Sequence, residues 1–291
     1  MVHTIGNLTA RSGDVLLKMW QVQVEPGKRP LQRHSHTQFE IVMVNSGSGS
    51  YTTQTGIKPM LPGDFFVFAS NEIHCITDVG EDGLQITNLH FEPRYLLSES
   101  GDAFSERNAN ICFAHGESFQ NRIPAEKTAA LEQLFRGIEQ EIREKPAEYP
   151  LEIRSLLNLL IVEIIRHHGY AAERQTGLPQ LPGILKAMAF IDAHLEEPLS
   201  LPDIAAVAGI SPNYFSTLFK RICNVTLWDY ITAKRVEKAI HMICEETDRT
   251  MLEIALACGF NNTANFNKAF KKQTGMTPSR YRSAGDMLLQ Q

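Results

Sequence analysis

IALACGFNNTANFNKAFKKQTGMTPSRYR occupies residues 254–282. It starts as a short Ala-rich helix, breaks at Gly259, and resumes as a helix whose Phe266 and Phe270 stand four apart on one face. Extended back to Thr250, it aligns with an upstream stretch that starts at Ser200, SLPDIAAVAGISPNYFSTLFKRICNVTLWDYI. Asp203, Ile204, Ala205 and Gly209 recur as Glu253, Ile254, Ala255 and Gly259. After one extra residue in the turn, Phe215, Phe219, Lys220, Thr226 and Tyr230 recur as Phe266, Phe270, Lys271, Thr277 and Tyr281. The chain carries one helical unit twice.

Each copy reads as helix-turn-helix. Ser200 with Asp203, and Thr250 with Glu253, have capping-box spacing, in which the hydroxyl accepts from an orphan amide and the carboxylate reaches back. Gly209 and Gly259 suit the left-handed backbone that ends a helix. Ser211 and Asn262 suit the caps of the second helices, with Pro212 in the first turn of one. The phenylalanines anchor these helices. That leaves outer faces of Asn213, Ser216, Thr217, Lys220 and Arg221 in the first copy, and Ala264, Asn267, Lys268 and Lys271 in the second. Amides, hydroxyls and cations suit base edges and phosphates. One polar helix face is ordinarily just solvated, so it is the repetition of turn and basic flank that favours nucleic acid. Between the copies, Trp228 to Cys244 reads as one helix with Trp228, Ile231, Ala239, Ile240 and Ile243 on one side. At 1.5 Å per residue it is about 26 Å long, a rod able to hold two recognition helices about one DNA turn, ~34 Å, apart.

Residues 254–282 closely resemble the signature of the AraC-type transcription regulators, and the resemblance extends over about 183–282. It implies a seven-helix domain that sets its two helix-turn-helix units in successive major grooves of double-stranded promoter DNA. It also implies base-reading positions at Asn213, Ser216, Thr217, Ala264, Asn267 and Lys268. Ala264 can offer only methyl contact, so readout there is weak or indirect. RNA polymerase is a further partner if the protein is an activator.

Charge is compatible with this reading without demanding it. The whole chain carries −5, but residues 181–291 hold 12 Lys/Arg against 11 Asp/Glu, leaving 16 against 22 elsewhere. The cations cluster at Lys220 and Arg221, at Lys234, Arg235 and Lys238, at Lys268, Lys271 and Lys272, and at Arg280 and Arg282. Such clusters are commonly a solvated face.

Residues 14 to about 92 read differently. DVLLKMWQVQV, FEIVMV, SGSYTTQ, DFFVFA and LQITNLHF are short β-rich runs punctuated by turn residues, the mark of an antiparallel sandwich or barrel. SGSGS at 46–50 is read as a hairpin turn between two of them. From Pro124, Leu131, Leu134, Phe135, Ile138 and Ile142 make a helical stripe. Pro150 then opens a helix apolar around most of its girth, which needs either two intramolecular neighbours or a second copy of the chain. Residues 169–182 lack periodicity and suit a linker.

Within the β-rich part, HSHTQFE spans 34–40. On a strand, His34, His36, Gln38 and Glu40 would share a face and point into a barrel, with His74 arriving from another strand. Three imidazoles and a carboxylate suit zinc, nickel, iron or manganese. Gly27, His34, His36, Glu40 and Gly47 resemble the first cupin motif, and Gly63 and His74 part of the second, but Ala69 and Asn71 stand where the enzymatic motif usually has Pro and Gly. AraC-type regulators commonly carry such a cupin as a small-molecule sensor. The expected site is therefore a metal-free effector pocket of Arg33, His34, His36, Gln38, Glu40 and His74, for a sugar or related metabolite. Trp20, Phe39 or Tyr51 could supply a flat apolar wall. A transition metal on His34, His36, Glu40 and His74 is the alternative, as a metal sensor or a metal-dependent cupin enzyme fused to a DNA-binding module. His90 is read as structural, and His167 and His168 as C-terminal helix caps.

Five scattered cysteines without CxxC, no signal-like start and no apolar run near 18 residues point to a cytoplasmic protein with no membrane partner. The expectation is a multidomain chain. Its parts are a cupin-like antiparallel β-barrel at 1–120, a helical dimerisation or linker segment at 121–170, a flexible linker at 171–182, and an all-α tandem helix-turn-helix domain at 183–291. It would act as a homodimeric, effector-responsive transcription regulator and not as an enzyme.

Overall fold

The computed structural model describes residues 2–9, 15–26, 34–96, 115–116, 118–170, 180–223, 225–245 and 248–289. Gly27, Arg33 and residues 171–179 of the expected linker lie outside them. The chain divides into two compact units, Met1–Leu31 with Gln38–Pro179, and Gln180–Gln291 with Gln32–Thr37.

The first unit is built on seven strands: β1 (Val2–Thr9), β2 (Val15–Val24), β3 (Phe39–Thr53), β4 (Gly56–Met60), β5 (Phe65–Phe68), β6 (Cys75–Phe91) and β7 (Arg122–Ile123). All pair antiparallel in the order β1-β2-β6-β3-β5-β7, with β4 also on β3. FEIVMV is apolar at successive positions because β3 is buried on both sides. Phe39, Ile41 and Met43 join the core shared with the helices, while Val42 and Val44 join Tyr51, Phe66, Phe68, Leu84 and Ile86 in a second core.

Two readings of the strands need correction. SGSGS is not a hairpin turn; β3 runs through it, with register shifts at Val44/Ser46, Gly47/Gly49 and Ser50/Tyr51. Bulges bend a strand where turn residues would otherwise reverse it. Gly47 sits at φ +78°, and a Cβ there would lie 2.1 Å from the Gly83 carbonyl oxygen, so close approach of β6 is what requires glycine. The strand β1 was missed, since VHTIGNLT has little apolar alternation and is mostly exposed; pairing with β2 makes it a strand.

Helix α1 (Ala129–Glu144) buries Leu131, Phe135, Ile138 and Ile142, as its stripe predicts. In α2 (Tyr149–His167), Ile153, Leu157, Leu160, Ile161 and Ile164 enter the same core as the sheet. Its other side leaves Leu151 63% and Leu159 54% exposed.

Among the described residues the second unit has seven helices: α3 (Leu181–Ala193), α4 (Leu201–Val207), α5 (Pro212–Cys223), α6 (Leu227–Glu245), α7 (Met251–Ala257), α8 (Thr263–Thr274) and α9 (Pro278–Leu289). The duplication is visible in the packing. Phe215–Phe219 and Phe266–Phe270 both have ring centroids 5.6 Å apart. Phe219 meets Tyr230 edge-on at 5.4 Å, and Phe270 meets Tyr281 edge-on at 5.5 Å. Gly209 (φ +70°) and Gly259 (φ +81°) close α4 and α7 in left-handed backbone.

Thr250 and Glu253 form the full reciprocal capping box, whereas at Ser200 the hydroxyl accepts from the Asp203 amide and bonds the Asp203 carboxylate. Asn262 caps α8 through the Asn265 amide at 2.8 Å. Trp228 departs from its reading. It is 51% exposed, although Ile231, Ala239 and Ile243 of the same stripe are buried.

Phe219→Ala removes a fully buried ring held between Phe215 and Tyr230, and should destabilise the C-terminal unit by about 3–5 kcal/mol. Thr217→Ala, on the exposed side of the same helix, should cost less than about 0.5 kcal/mol. Urea unfolding of the full chain in a Trp20→Phe background, leaving Trp228 as the fluorescent reporter, measures both.

Candidate nucleic-acid interface and effector pocket

The buried side of α5 is Phe215, Leu218, Phe219, Ile222 and Cys223. Helical spacing therefore turns Asn213, Ser216, Thr217, Lys220 and Arg221 outward, and all five are exposed. A shallow surface depression is lined by Ser216, Thr217, Lys220 and Arg221. On α8, Phe266 and Phe270 face inward, and Ala264, Asn267, Lys268 and Lys271 are exposed. Tyr214 is also exposed on α5, and the sequence reading passed over it.

Tertiary contacts sort the cationic clusters. Lys234 reaches Asp192 at 3.5 Å and Glu237 at 3.7 Å, Lys238 pairs with Glu196, and Lys272 approaches Asp229 at 3.4 Å. The Arg235 guanidinium donates to the carbonyls of Leu195 and Glu197 at 2.9 and 3.0 Å. No ion pair within the described residues involves Lys220, Arg221, Lys268 or Lys271. The α6 cations tie the unit together, whereas Lys220 and Arg221 of α5 and Lys268 and Lys271 of α8 are exposed.

In the first unit, Glu40 is the centre of a polar cluster. In the β ladder it lies opposite Phe68 of β5 and His90 of β6. His74 Nε2 is 2.8 Å from Glu40 Oε2, and His90 Nε2 is 3.3 Å from Oε1. The other nitrogen of His74, Nδ1, lies 2.9 Å from the Glu72 carbonyl oxygen; since a carbonyl only accepts, Nδ1 donates and Nε2 is turned to Glu40. Phe68 stacks on the His74 ring at 4.1 Å, and Trp20 meets the His90 ring edge-on at 4.4 Å. Burial, then the charge of Glu40, raises the Tyr51 phenol well above its ordinary range, so Tyr51 stays protonated as a wall of this cluster. Gln38 donates to Glu92 at 2.7 Å. A buried carboxylate held by two imidazoles beside aromatic walls can accept from ligand hydroxyls, and its imidazole nitrogens can donate or coordinate.

Of the expected pocket residues, Glu40, His74 and Gln38 thus lie in the first unit. His34 and His36 precede β3, which starts at Phe39. These two belong by contact to the second unit, with rings 6.1 Å apart. Arg33 lies outside the described residues. His90 was missed because only the register of β6 on β3 puts it opposite Glu40; the parity it shares with Leu84 and Ile86, both in the second core, is the sequence signal that could have found it.

Residues 26–161 match the model of the AraC-like ligand binding domain, and residues 204–284 match a helix-turn-helix domain. The melibiose operon regulatory protein of Escherichia coli is 31% identical over 99 residues, 34% of this chain and 32% of that protein. The transcriptional regulator Rob of Salmonella typhimurium is 35% identical over 105 residues, 36% of each chain. The chain thus spans about a third of the length of these relatives. A solved structure of ToxT from Vibrio cholerae has the same fold, with a TM-score of 0.62 at 10% identity over 92% of this chain and 98% of that one. With an AraC-like ligand binding domain ahead of its helix-turn-helix domain, the chain belongs to the AraC-type family.

Proposed function

We propose that the protein is a cytoplasmic, effector-responsive transcription regulator and not an enzyme. Its 183–291 part binds double-stranded promoter DNA, its 1–120 part senses a small molecule, and 121–182 carries dimerisation and linkage. The observation that carries the proposal is the duplicated unit, with two helices that bury matching phenylalanine pairs and expose Lys220, Lys268 and Lys271, which make no ion pair among the described residues. The helix α6 that joins them is 19 residues, about 28 Å at 1.5 Å per residue, close to the ~34 Å between successive major-groove entries on one face of DNA. The name of the melibiose operon relative supports a sugar-related metabolite as effector. Aromatic walls and hydrogen-bonding groups around Glu40 suit such a ligand.

A second reading has an observation of its own. Two imidazole nitrogens and a carboxylate meet at Glu40, a donor set that borderline cations accept. Glu40 and His74 would then be among the residues that hold a transition metal, which would supply Lewis acidity. On this reading the barrel is a metal sensor or a metal-dependent cupin.

Electrophoretic shift and fluorescence anisotropy with upstream DNA test the main proposal. Affinity should fall steeply with salt, because lysines release condensed counterions from phosphate. Lys220→Ala should weaken all sequences alike and lower the salt slope by about one, while Lys268→Ala should weaken one half of the operator by about 1–3 kcal/mol. Salt-insensitive binding, or equal binding to all duplexes in both variants, would remove the assignment.

For the pocket, Glu40→Gln should keep operator affinity while abolishing the change in reporter transcription on adding inducer, since an effector acts only through unequal affinity for two states. A normal response in Glu40→Gln, His74→Ala and the double variant would show that the effector binds elsewhere. Near-stoichiometric transition metal in protein purified without chelator or nickel resin, lost in His74→Ala, would favour the second reading. The outer side of α2 is the proposed dimer face, so Leu159→Glu should shift the protein toward monomer in sedimentation velocity at micromolar concentration.

A further inference from the structure

The two recognition helices share their buried residues but not their outer chemistry. Resting on the DNA-binding reading, we infer that α5 reads its half of the operator through thymine methyl groups, contacted by Tyr214 and Thr217. Tyr214 is 44% exposed in the first turn of a helix whose outer face is otherwise small, polar or cationic. Thr217 stands three residues on, on the same row of the helix surface. Its hydroxyl donates to the Asn213 carbonyl at 3.1 Å, which turns the hydroxyl back onto the helix and leaves the methyl as its outward apolar part. Tyr214 and Thr217 therefore make a small apolar strip, with Arg221 one turn beyond.

The internal duplicate is the control. Fifty-one residues on, the same two places of α8 hold Asn265 and Lys268, both exposed, around the same buried phenylalanine pair. Folding of the unit does not require apolar groups there. Beside the strip, Ser216 is small enough to leave the depression it lines with Thr217, Lys220 and Arg221, with two cations at its rim for the flanking phosphates. No acidic side chain occurs between Pro212 and Cys223 to repel them. In the major groove, thymine is the base that offers a methyl group, whereas amides and lysines such as Asn267 and Lys268 suit adenine and guanine edges. The two half-sites are thus read by different chemistry: methyl contact under α5, hydrogen bonding under α8.

The test removes the methyl and nothing else. An operator is selected from random duplexes with the full chain, and thymines are replaced by uracil in one half-site at a time. Uracil in the α5 half should lower affinity about fourfold for each contacted methyl, the value of burying one such group. The double substitution Tyr214→Asn with Thr217→Lys, which copies the α8 residues, should retain phosphate binding and salt dependence but lose the thymine–uracil difference. Thr217→Ser, which keeps the hydroxyl, should lose part of it. A selected operator bound equally with thymine and uracil, or a uracil penalty that survives the double substitution, overturns the inference and leaves the DNA-binding reading standing. Selection that yields no preferred sequence overturns both.

Discussion

The C-terminal unit depends on α6 serving two aromatic clusters with one rigid helix. Near its start Tyr230 closes the Phe215–Phe219 cluster; further along, Val236, Ala239, Met242 and Ile243 pack with Phe266 and Phe270. A helix of 19 residues cannot turn one end without carrying the other, so the two outer faces keep a set separation and rotation. A hinge there would give two independent modules with weaker combined binding, because the second contact would no longer be prepaid by the first. The same helix spends Lys234, Arg235 and Lys238 on internal carboxylates and carbonyls, which strengthens the rod and leaves the outward charge on α5 and α8.

In the antiparallel sheet the corresponding constraint is a buried carboxylate. Glu40 lies in β3 among residues that are otherwise aromatic or aliphatic, and a charge so placed is tolerated only with partners. His74 and His90 provide them from the strand β6 and the turn before it. Aromatic rings on either side lower the local dielectric and make any ligand that competes for Glu40 pay or gain a large free energy. That sensitivity is what a sensing site needs. Asp64 and Glu72 show the contrast. Asp64 accepts from Arg122 and the amides of Leu61 and Ala125, and Glu72 from Asn121 and the amide of Ala69. Both are occupied in joining the 115–128 segment to the sheet.

Much of the C-terminal unit was legible because its determinants are local. Capping residues act within three positions, Gly209 and Gly259 act on their own φ, and paired phenylalanines four apart define which side of a helix is buried and hence which is free. The duplicate supplied a second reading of each feature. The strand region was legible as strands but not as topology. SGSGS has the composition of a turn, and only the approach of β6 to Gly47 makes it a series of bulges in one long strand.

The candidate pocket divides along the same line. Sequence alone determined that residues 34–40 and His74 carry dense hydrogen-bonding chemistry in a β-rich domain, and that α5 and α8 turn polar faces outward. Tertiary structure alone decided that β3 starts at Phe39, that the register of β6 sets His90 against Glu40, and that Lys234 and Lys238 of α6 meet carboxylates while, among the described residues, Lys220, Arg221, Lys268 and Lys271 do not. Helix faces follow from spacing along one segment. Strand partners, register and ion pairs depend on which distant segments meet, and a one-residue slip in a ladder would have turned His90 to the opposite face.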